Sequence, residues 1–595
     1  MSIRNIAIIA HVDHGKTTLV DALLKQSGTL KNIDQTCVMD SNDQERERWI
    51  TIYAKNTAVN YKWNIINIVD TPWHADFGSE VERVLRMVDS VLLVVDAFEW
   101  PMPQTKFVLW KALELWLKPI VVINKIDKPT ARPDEVVDMT FDLFDKLWAT
   151  NEQLDFEVVY AIARDGIAIK NLDDEKVDIK PLFETIIEKV SPAPDYSDKP
   201  FRMQIANLWY DNFLWRLGIG RVYEWSVKVN DKVTVITNNW EKKTWKVSKI
   251  FTTVWLNRVE TKEWKCGDII TIAWIPDIFV WDTVWIWEFE QMPAITIDEP
   301  TMSMEFLVND SPFAGREWKY ITSRNIKERL EKELEMNVWL QVDFSDKNRF
   351  VVYWRWELHI SVLIETMRRE GFELQIWAPK VIFKEENWKK LEPMEQLIVN
   401  VDDEVAWSII EEISNRKWLM KDMKSENWTT ILEFEVPTRW LLGFRSWFVL
   451  QTKWEWIMYS SFSHFDEYKW EIPKRKVGSM VSWTNWKVMK YSIWKMQERG
   501  PIFVKPWTEV YEWMIVWEHL KGWELVVNLT KNKKLTNVRS SSADDAMKLE
   551  PVREITLEDA LSYIWDDEYV EVTPSTFRIR KIHLNEKDRK ANAKK

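Results

Sequence analysis

Cysteine is nearly absent from the 595-residue chain: only Cys37 and Cys266 occur, too few for a disulfide framework. No run of about 20 apolar residues is present, which excludes an evident membrane-spanning helix, and residues 1–5 lead straight into a short apolar run without the build of a signal peptide. The expected compartment is the cytoplasm, with no membrane partner. Net positive charge is missing as well. The formal net charge is −12, so a nucleic-acid partner would have to be met by a local basic patch and not by the whole surface. One candidate is residues 578–595 (RIRKIHLNEKDRKANAKK), with eight Lys or Arg against two acids, which leaves −18 on the rest of the chain.

The sharpest shortage is glycine, with 13 residues against 40 tryptophans. Glycine alone normally supplies about 7% of a chain, and here the two types together supply about 9%. Trp also stands repeatedly where a turn or a close backbone approach calls for glycine, as in Thr71-Pro72-Trp73-His74 and Arg355-Trp356-Glu357. The expectation is that most of these tryptophans are glycine in the protein as the cell makes it, encoded by UGA codons that its lineage reads as glycine. The alternative is an authentic Trp-rich protein, which would have to fit forty indoles into turns and tight packing.

What remains is an ordinary globular mix, 46% hydrophobic and 29% charged, and the length predicts about four domains. Residues 1–195 alternate apolar strand-like runs (6–10, 65–70, 90–96, 119–124, 158–161) with helical stretches (16–26, 79–88, 104–117, 134–148, 181–190), the pattern of a mostly parallel sheet covered by helices. Three prolines and no apolar periodicity make 191–200 a linker. Short β-rich runs over 201–296 predict a β-barrel. Residues 301–379 and 380–478 mix strands with helices at 324–336, 357–370 and 403–415, which predicts two split βαβ, ferredoxin-like α+β modules. Residues 480–595 form a further unit, with a basic stretch over 531–539, a helix at 556–565 and the basic tail. The fold class is therefore multidomain, α/β plus β.

The strongest chemical signal is Ala10-His-Val-Asp-His-Gly-Lys16-Thr17-Thr18, directly after a strand and opening a helix. It fits a phosphate-cradling loop with Ala10 in place of the first glycine. Its backbone N–H groups and helix N-terminus suit a phosphate chain, Lys16 supplies charge to the β and γ phosphates, and the Thr17 hydroxyl suits Mg²⁺. Asp70 ends a strand in Val69-Asp70-Thr71-Pro72, where a carboxylate can serve Mg²⁺ through water. Asn124-Lys125-Ile126-Asp127 ends a later strand, where Asp127 can accept two hydrogen bonds that guanine offers and adenine does not. Alone, NKxD also fits a solvated turn. In order behind the phosphate loop it specifies GTP. The charged segment 40–51 reads either as a solvated loop or as a mobile loop that brings Thr51 to Mg²⁺ and the γ-phosphate.

These residues carry a resemblance. AHVDHGKTT, ERERWITI, DTPWHADFG and VVINKID are similar to the translational GTPases. SPFAGREWKYITSR, RWELHISVLIETMRREGFEL, PTRWLLGFR, KKLTNVR and VEVTPSTFRIRK resemble the BipA/TypA ribosome-associated GTPases along essentially the whole chain. In that family glycine stands at the positions of Trp49, Trp73, Trp100, Trp318, Trp354, Trp356 and Trp440. The resemblance implies a GTPase domain, a β-barrel, two ferredoxin-like modules and a family-specific C-terminal domain. It implies that Asp13, His14, Gly15, Lys16, Thr17 and Thr18 bind GTP, that Thr17, Thr51 and Asp70 serve Mg²⁺, and that Asp13 contributes to a monovalent-cation site. It further implies that His74 orients the attacking water, with Val12 and Ile50 as the apolar gate before it. Asn124, Lys125 and Asp127 would read guanine together with Ala161, Ile162 and Ala163. The family usually has serine where Ile162 stands, so this loop would rely on backbone groups. Lys534, Arg539, Arg578, Arg580 and Lys581 are expected on RNA phosphates, whereas 587–595 reads as a solvated tail. The implied partners are the ribosome, GTP and GDP, for a monomeric chain. The rivals are a LepA-like elongation GTPase, against which the 480–595 text argues, and a ribosome-binding protein that does not hydrolyse GTP, which would follow if Trp49 and Trp73 were authentic.

Overall fold

The computed structural model describes the chain except residues 1, 12, 28–42, 49–50, 52–53, 73–77, 99–102, 148, 197–198, 212–214, 226–227, 237–241, 255–256, 262–265, 274–277, 287–291, 293–298, 318, 338, 356, 387, 416–417, 427–428, 443, 445–447, 449–456, 470–476, 532–547 and 586–595. The chain divides into two compact units, residues 1–297 with 335–338, and residues 298–334 with 339–595.

The first unit opens with β1 (Ser2–Ala10), β2 (Lys55–Tyr61), β3 (Asn64–Asp70), β4 (Ser90–Asp96), β5 (Lys118–Asn124), β6 (Glu157–Ile162) and β7 (Ile167–Ile169), in the sheet order 2-3-1-4-5-6-7. The five strands from β3 to β6 in that order are parallel, and β2 and β7 add antiparallel edges. Every residue of β4 is buried. A strand apolar on both faces needs helices on both sides, and two cores fill these layers: Leu19, Leu23, Phe183 and Ile186 pack on one side, and Val81, Leu85, Val108 and Phe144 on the other. The expected helices are present at Lys16–Gln26 (α1), Gly78–Met87, Pro103–Glu114, Pro133–Lys146 and Lys180–Lys189. Sequence pattern does not reveal β2 and β7. As KNTAVNY, β2 is an edge strand with little apolar signal.

Residues 202–285 form an antiparallel eight-stranded sheet around a core of Met203, Ile205, Val222, Val235, Ile250, Ile272 and Val284. It is fastened to the first sheet by buried polar groups. Arg221 pairs with Asp89 at 2.6 Å and donates to the Met87 carbonyl at 3.2 Å. Asn5 Nδ2 donates to the Gly267 carbonyl at 2.9 Å, and Asn67 Nδ2 donates to Asn5 Oδ1 at 2.8 Å and to Asp268 Oδ1 at 3.1 Å.

In the second unit, the helices Ser323–Met336 and Glu357–Arg369 cover strands Met302–Leu307, Gln341–Asp343, Arg349–Trp354 and Leu374–Trp377. A five-stranded antiparallel sheet follows, built from Lys384–Glu386, Lys389–Asp402, Leu419–Glu426, Thr429–Pro437 and Ile457–Glu467, with the helix Asp403–Asn415 packed through Ala406, Ile409 and Ile413. The stretches drawn at 301–379 and 480–595 share one sheet: Leu374–Trp377 pairs antiparallel with Glu568–Val572. They also share one core, in which Phe306, Ile364 and Ile376 meet Ile515, Leu561 and Val570. Strand pairing of this range leaves no mark in local periodicity.

Among the described residues, eleven non-glycine residues have positive φ, and seven of them are tryptophan: Trp63, Trp116, Trp225, Trp281, Trp388, Trp507 and Trp513. For a bulky side chain this region of backbone space is an outlier.

Candidate nucleotide-binding site

Parallel registry brings the ends of β1, β3, β4, β5 and β6 to one edge of the first sheet. Ile8 lies beside Asp70, Ala10 beside Val94, Asp96 beside Asn124, and Asn124 beside Ala161. Because β1 lies between β3 and β4, the chain leaves it on one side and returns on the other. This is the topological switch at which open α/β sheets hold ligands. Residues 11–15 leave β1 at that point and enter α1 through Gly15, whose φ of 91° is left-handed. A side chain there would also collide with the Asn124 amide.

Lys16 heads α1 and is buried. Its ammonium reaches Asp70 Oδ1 at 2.7 Å, Thr51 Oγ1 at 2.6 Å and the Thr71 carbonyl at 3.0 Å. Thr71 is fixed in turn by donating its hydroxyl to the Ile8 carbonyl at 2.6 Å. One cation thus gathers the phosphate loop, the end of β3 and the charged segment before β2, three pieces whose motifs point to a phosphate. Thr51, Asp70 and the neighbouring Thr17 make a set of hard oxygen donors with a single carboxylate. Such a set suits Mg²⁺, which is bound by one or two carboxylates together with substrate phosphates. Among the described residues no group of three or more His, Cys, Asp or Glu could hold a metal by itself.

The residues expected to read guanine divide. Asn124 is buried, and its amide braces two loops, donating to the His14 carbonyl at 2.8 Å and accepting from the Ala163 N–H at 3.0 Å. Lys125 donates to the Asp13 carbonyl and pairs with Asp96 at 2.9 Å. The Asp127 carboxylate is partly exposed, with Arg164 Nη2 at 3.4 Å. Asn124 and Lys125 therefore position the loops, and Asp127, with Arg164 beside it, keeps a partly exposed carboxylate at the same edge. The Ala163 amide, expected for base contact, is taken by Asn124; Ala161 and Ile162 are buried at the end of β6. Asp96 was missed by sequence reasoning, although it ends its strand in Val95-Asp96 as Asp70 does in Val69-Asp70. Burial would raise its carboxyl, but hydrogen bonds from Lys125, the Phe98 N–H and Lys128 hold it below the usual aspartate range.

In the phosphate loop itself, Asp13 is exposed with a φ of 61°, and Thr18 is exposed on the first turn of α1. His14 is buried edge-on to His11, with ring centroids 5.3 Å apart. His74, the gate residues Val12 and Ile50, and Trp49 and Trp73 lie outside the described residues.

Residues 1–192 match the elongation factor Tu GTP binding domain, 389–476 the elongation factor G C-terminus, and 477–586 the TypA/BipA C-terminal domain. Over 99% of its length the chain is 50% identical to the "large ribosomal subunit assembly factor BipA" of Escherichia coli strain K12, covering 98% of that protein. The chain belongs to the BipA/TypA family. It is a GTPase of that family by its nucleotide domain, and the identity is also spread over the full length in other relatives. The protein of the same name from Haemophilus influenzae is 49% identical over 99% of this chain and 97% of its own length. The Synechocystis counterpart is 47% identical over 98% of both. A solved chain from Thermus thermophilus superposes with a TM-score of 0.56 at 14% identity, covering 78% of this chain and 97% of its own, and speaks for the fold alone. No helix among the described residues is long and apolar enough to cross a membrane.

The basic strand Phe577–Lys581 corrects an expectation. Arg578, Arg580 and Lys581 were expected on RNA, but all three turn into the protein. Arg580 is 1% exposed, bound to Asp310 and Gln375 and donating to the Lys581 carbonyl at 3.0 Å. Arg578 pairs with Glu317 at 2.6 Å and with buried Glu571 at 3.3 Å. Lys581 pairs with Glu568 at 2.8 Å, Asp567 at 2.9 Å and Glu524 at 3.1 Å. The strand lies between Glu568–Val572 and Met514–His519, so its cations meet carboxylates instead of solvent. Lys534 and Arg539 lie outside the described residues.

Proposed function

We propose that this protein hydrolyses GTP by water attack on the γ-phosphate and uses its nucleotide state to control docking on the large ribosomal subunit during assembly, the role that its relatives' names state for them. The observation that carries the nucleotide half is the reach of Lys16 to Thr51, Asp70 and the Thr71 carbonyl within 3.0 Å, since these are the groups that must converge on a γ-phosphate and its ion. Thr17, Thr51 and Asp70 would hold Mg²⁺, which when bound neutralises charge developing on the phosphate oxygens. Asp13 would serve a monovalent cation, Asp127 would select guanine, and His74 would orient the water, with Val12 and Ile50 holding it back until docking. Lys534 and Arg539 would contribute RNA contacts. The expected setting is the cytoplasm, with the chain as a monomer. Full-length identity to BipA proteins together with the TypA/BipA C-terminal domain match at 477–586 favours this reading over a LepA-like factor.

The experiment is a split of binding from turnover. A residue acting only in the transition state contributes little to ground-state binding. His74→Ala should therefore keep GTP affinity and co-sedimentation with large subunits while losing subunit-stimulated turnover. Wild-type turnover by His74→Ala on subunits would remove the catalytic assignment.

A further inference from the structure

The correction at Phe577–Lys581 leaves open which cations of the second unit face outward. Among its described residues, most Lys and Arg meet a carboxylate or lie over an aromatic ring. A group that does neither surrounds the helix Lys490–Met496 and the turn Gln497–Arg499 that continues it. Lys490, Lys495 and Arg499 are exposed there, Glu498 is the one acid from 487 to 499, and Lys531 and Lys548 are fastened alongside. Ser492 Oγ donates to the Lys531 carbonyl at 2.7 Å, and Gln497 Nε2 donates to the Lys548 carbonyl at 3.4 Å. Ser492 and Ile493 fill the buried side of this helix, which leaves Lys490, Tyr491, Trp494 and Lys495 on the other. The rings of Tyr491 and Trp494 stack with centroids 6.2 Å apart and planes inclined by 29°.

We propose that this face docks ribosomal RNA, with Lys490, Lys495, Arg499, Lys531 and Lys548 on phosphates. A face this basic on an otherwise acidic chain selects a polyanion, and exposed cations spread over one helix and the segments fastened beside it suit successive phosphates of a nucleic-acid backbone. The inference rests on the proposed ribosomal role. Its test is binding of the full chain to purified large subunits, and to their protein-free RNA, across a salt series. Lys490→Gln/Lys495→Gln/Arg499→Gln should weaken binding roughly tenfold or more and lower the salt slope by about one unit or less per lost phosphate contact. Lys490→Arg/Lys495→Arg, which keeps every charge, should bind as the wild type does with the same slope. GTP affinity should be unchanged throughout. If the wild type binds subunits and the triple variant matches it in affinity and slope, the face is a solvated surface and the inference fails. Binding to subunits without binding to their RNA would assign the face to an acidic protein and overturn it too. Failure of the wild type itself to bind subunits would instead overturn the ribosomal role.

A separate observation bears on the tryptophans. Where the chain has glycine it uses it conventionally, with Gly15, Gly166, Gly267, Gly315, Gly371 and Gly500 at positive φ. Of the seven tryptophans that share this backbone region, Trp281 and Trp513 are packed in cores and the other five gain little from their size. Trp63, Trp116, Trp388 and Trp507 are largely exposed, and the buried Nε1 of Trp281 has no hydrogen-bond partner. A left-handed backbone bearing a bulky side chain is strained, and an indole left in water adds no packing in return. We infer that these seven positions are glycine in the protein made by its own cell, by reassignment of the codon read here as tryptophan. Peptide mass spectrometry of the protein from its native cells should find glycine at positions 63, 116, 225, 281, 388, 507 and 513, and an intact indole at these positions would overturn the inference. Independently, a chain carrying Trp→Gly at the five exposed positions 63, 116, 225, 388 and 507 should melt at a higher temperature than the chain with tryptophan there, and an equal or lower melting temperature would count against it.

Discussion

Lys16 and Arg580 are both buried cations, yet they differ in what holds them. Lys16 is met by a carboxylate, a hydroxyl and a carbonyl from segments that a phosphate-binding loop must assemble, so its neighbours belong to the chemistry. Arg580 is met by Asp310, Gln375 and Glu571, drawn from strands and loops more than 200 residues away except for Glu571. Its neighbours belong to the core. A basic residue in a sequence therefore carries no direction, and only the partners settle whether its charge is an instrument or an internal strut.

The largest expected effect breaks the second member of this pair. Arg580→Ala would strip buried Glu571 of one of its two cations, and breaking a buried ion pair from one side costs about 3–5 kcal/mol. Urea unfolding of the full chain should show a loss of that size in the second unit, while exposed Lys490→Gln should stay within about 0.5 kcal/mol of wild type. Equal stability of the two variants would mean that Arg580 is no strut.

Next comes the first member. Asp127→Asn would set a donor against the donors of guanine, with an expected loss of about 3 kcal/mol, roughly a hundredfold in Kd, because polar groups are left unmatched. Xanthosine triphosphate, which presents an acceptor there, should recover part of it. Undiminished GTP affinity in the variant would remove Asp127 from base recognition. Asn124→Ala should act differently. It would leave the His14 carbonyl and the Ala163 N–H unmet, at about 1–3 kcal/mol, and it should lower the stability of the first unit together with nucleotide affinity. A change in affinity alone would return Asn124 to the base.

The two regions were not equally legible in the sequence. The nucleotide loops are short, sit at strand ends, and recur in a fixed order, so Gly15, Lys16, Asp70 and Asp127 could be placed from motif and spacing alone. The bracing role of Asn124 was hidden, because its partners His14 and Ala163 lie 110 and 39 residues away. For Arg578 and Arg580 the composition misled: the local stretch is basic, and the compensating Glu317 and Asp310 are more than 250 residues upstream, whereas the partners of Lys581, Asp567 and Glu568, stand 14 and 13 residues before it across a hairpin that local composition does not reveal. The shared sheet of 302–381 and 478–581 was invisible for the same reason, since register between distant strands is set by the core and not by local pattern.

The smallest effect sharpens the comparison at the seam between the first sheet and the eight-stranded one. Asp268 is buried there, accepting from Asn67 Nδ2 and its neighbour's Ile269 N–H, and burial pushes its carboxyl above the ordinary aspartate value despite those hydrogen bonds. A carboxyl raised in the folded state favours folding when protonated. Its contribution is complete below the unfolded value, about 3.9, and is lost as pH rises through the higher folded value. Asp268→Asn stays neutral and can still accept both hydrogen bonds. Relative to the parent, the variant should therefore gain stability as pH rises from the ordinary aspartate range toward neutrality, and the gain should level off above the folded pKa. Paired urea titrations over that range check this, because the difference between variant and parent cancels the titration of every other carboxylate. A difference that does not change with pH would mean that Asp268 is charged at no cost, and that the seam is held by Arg221 and Asp89 without it.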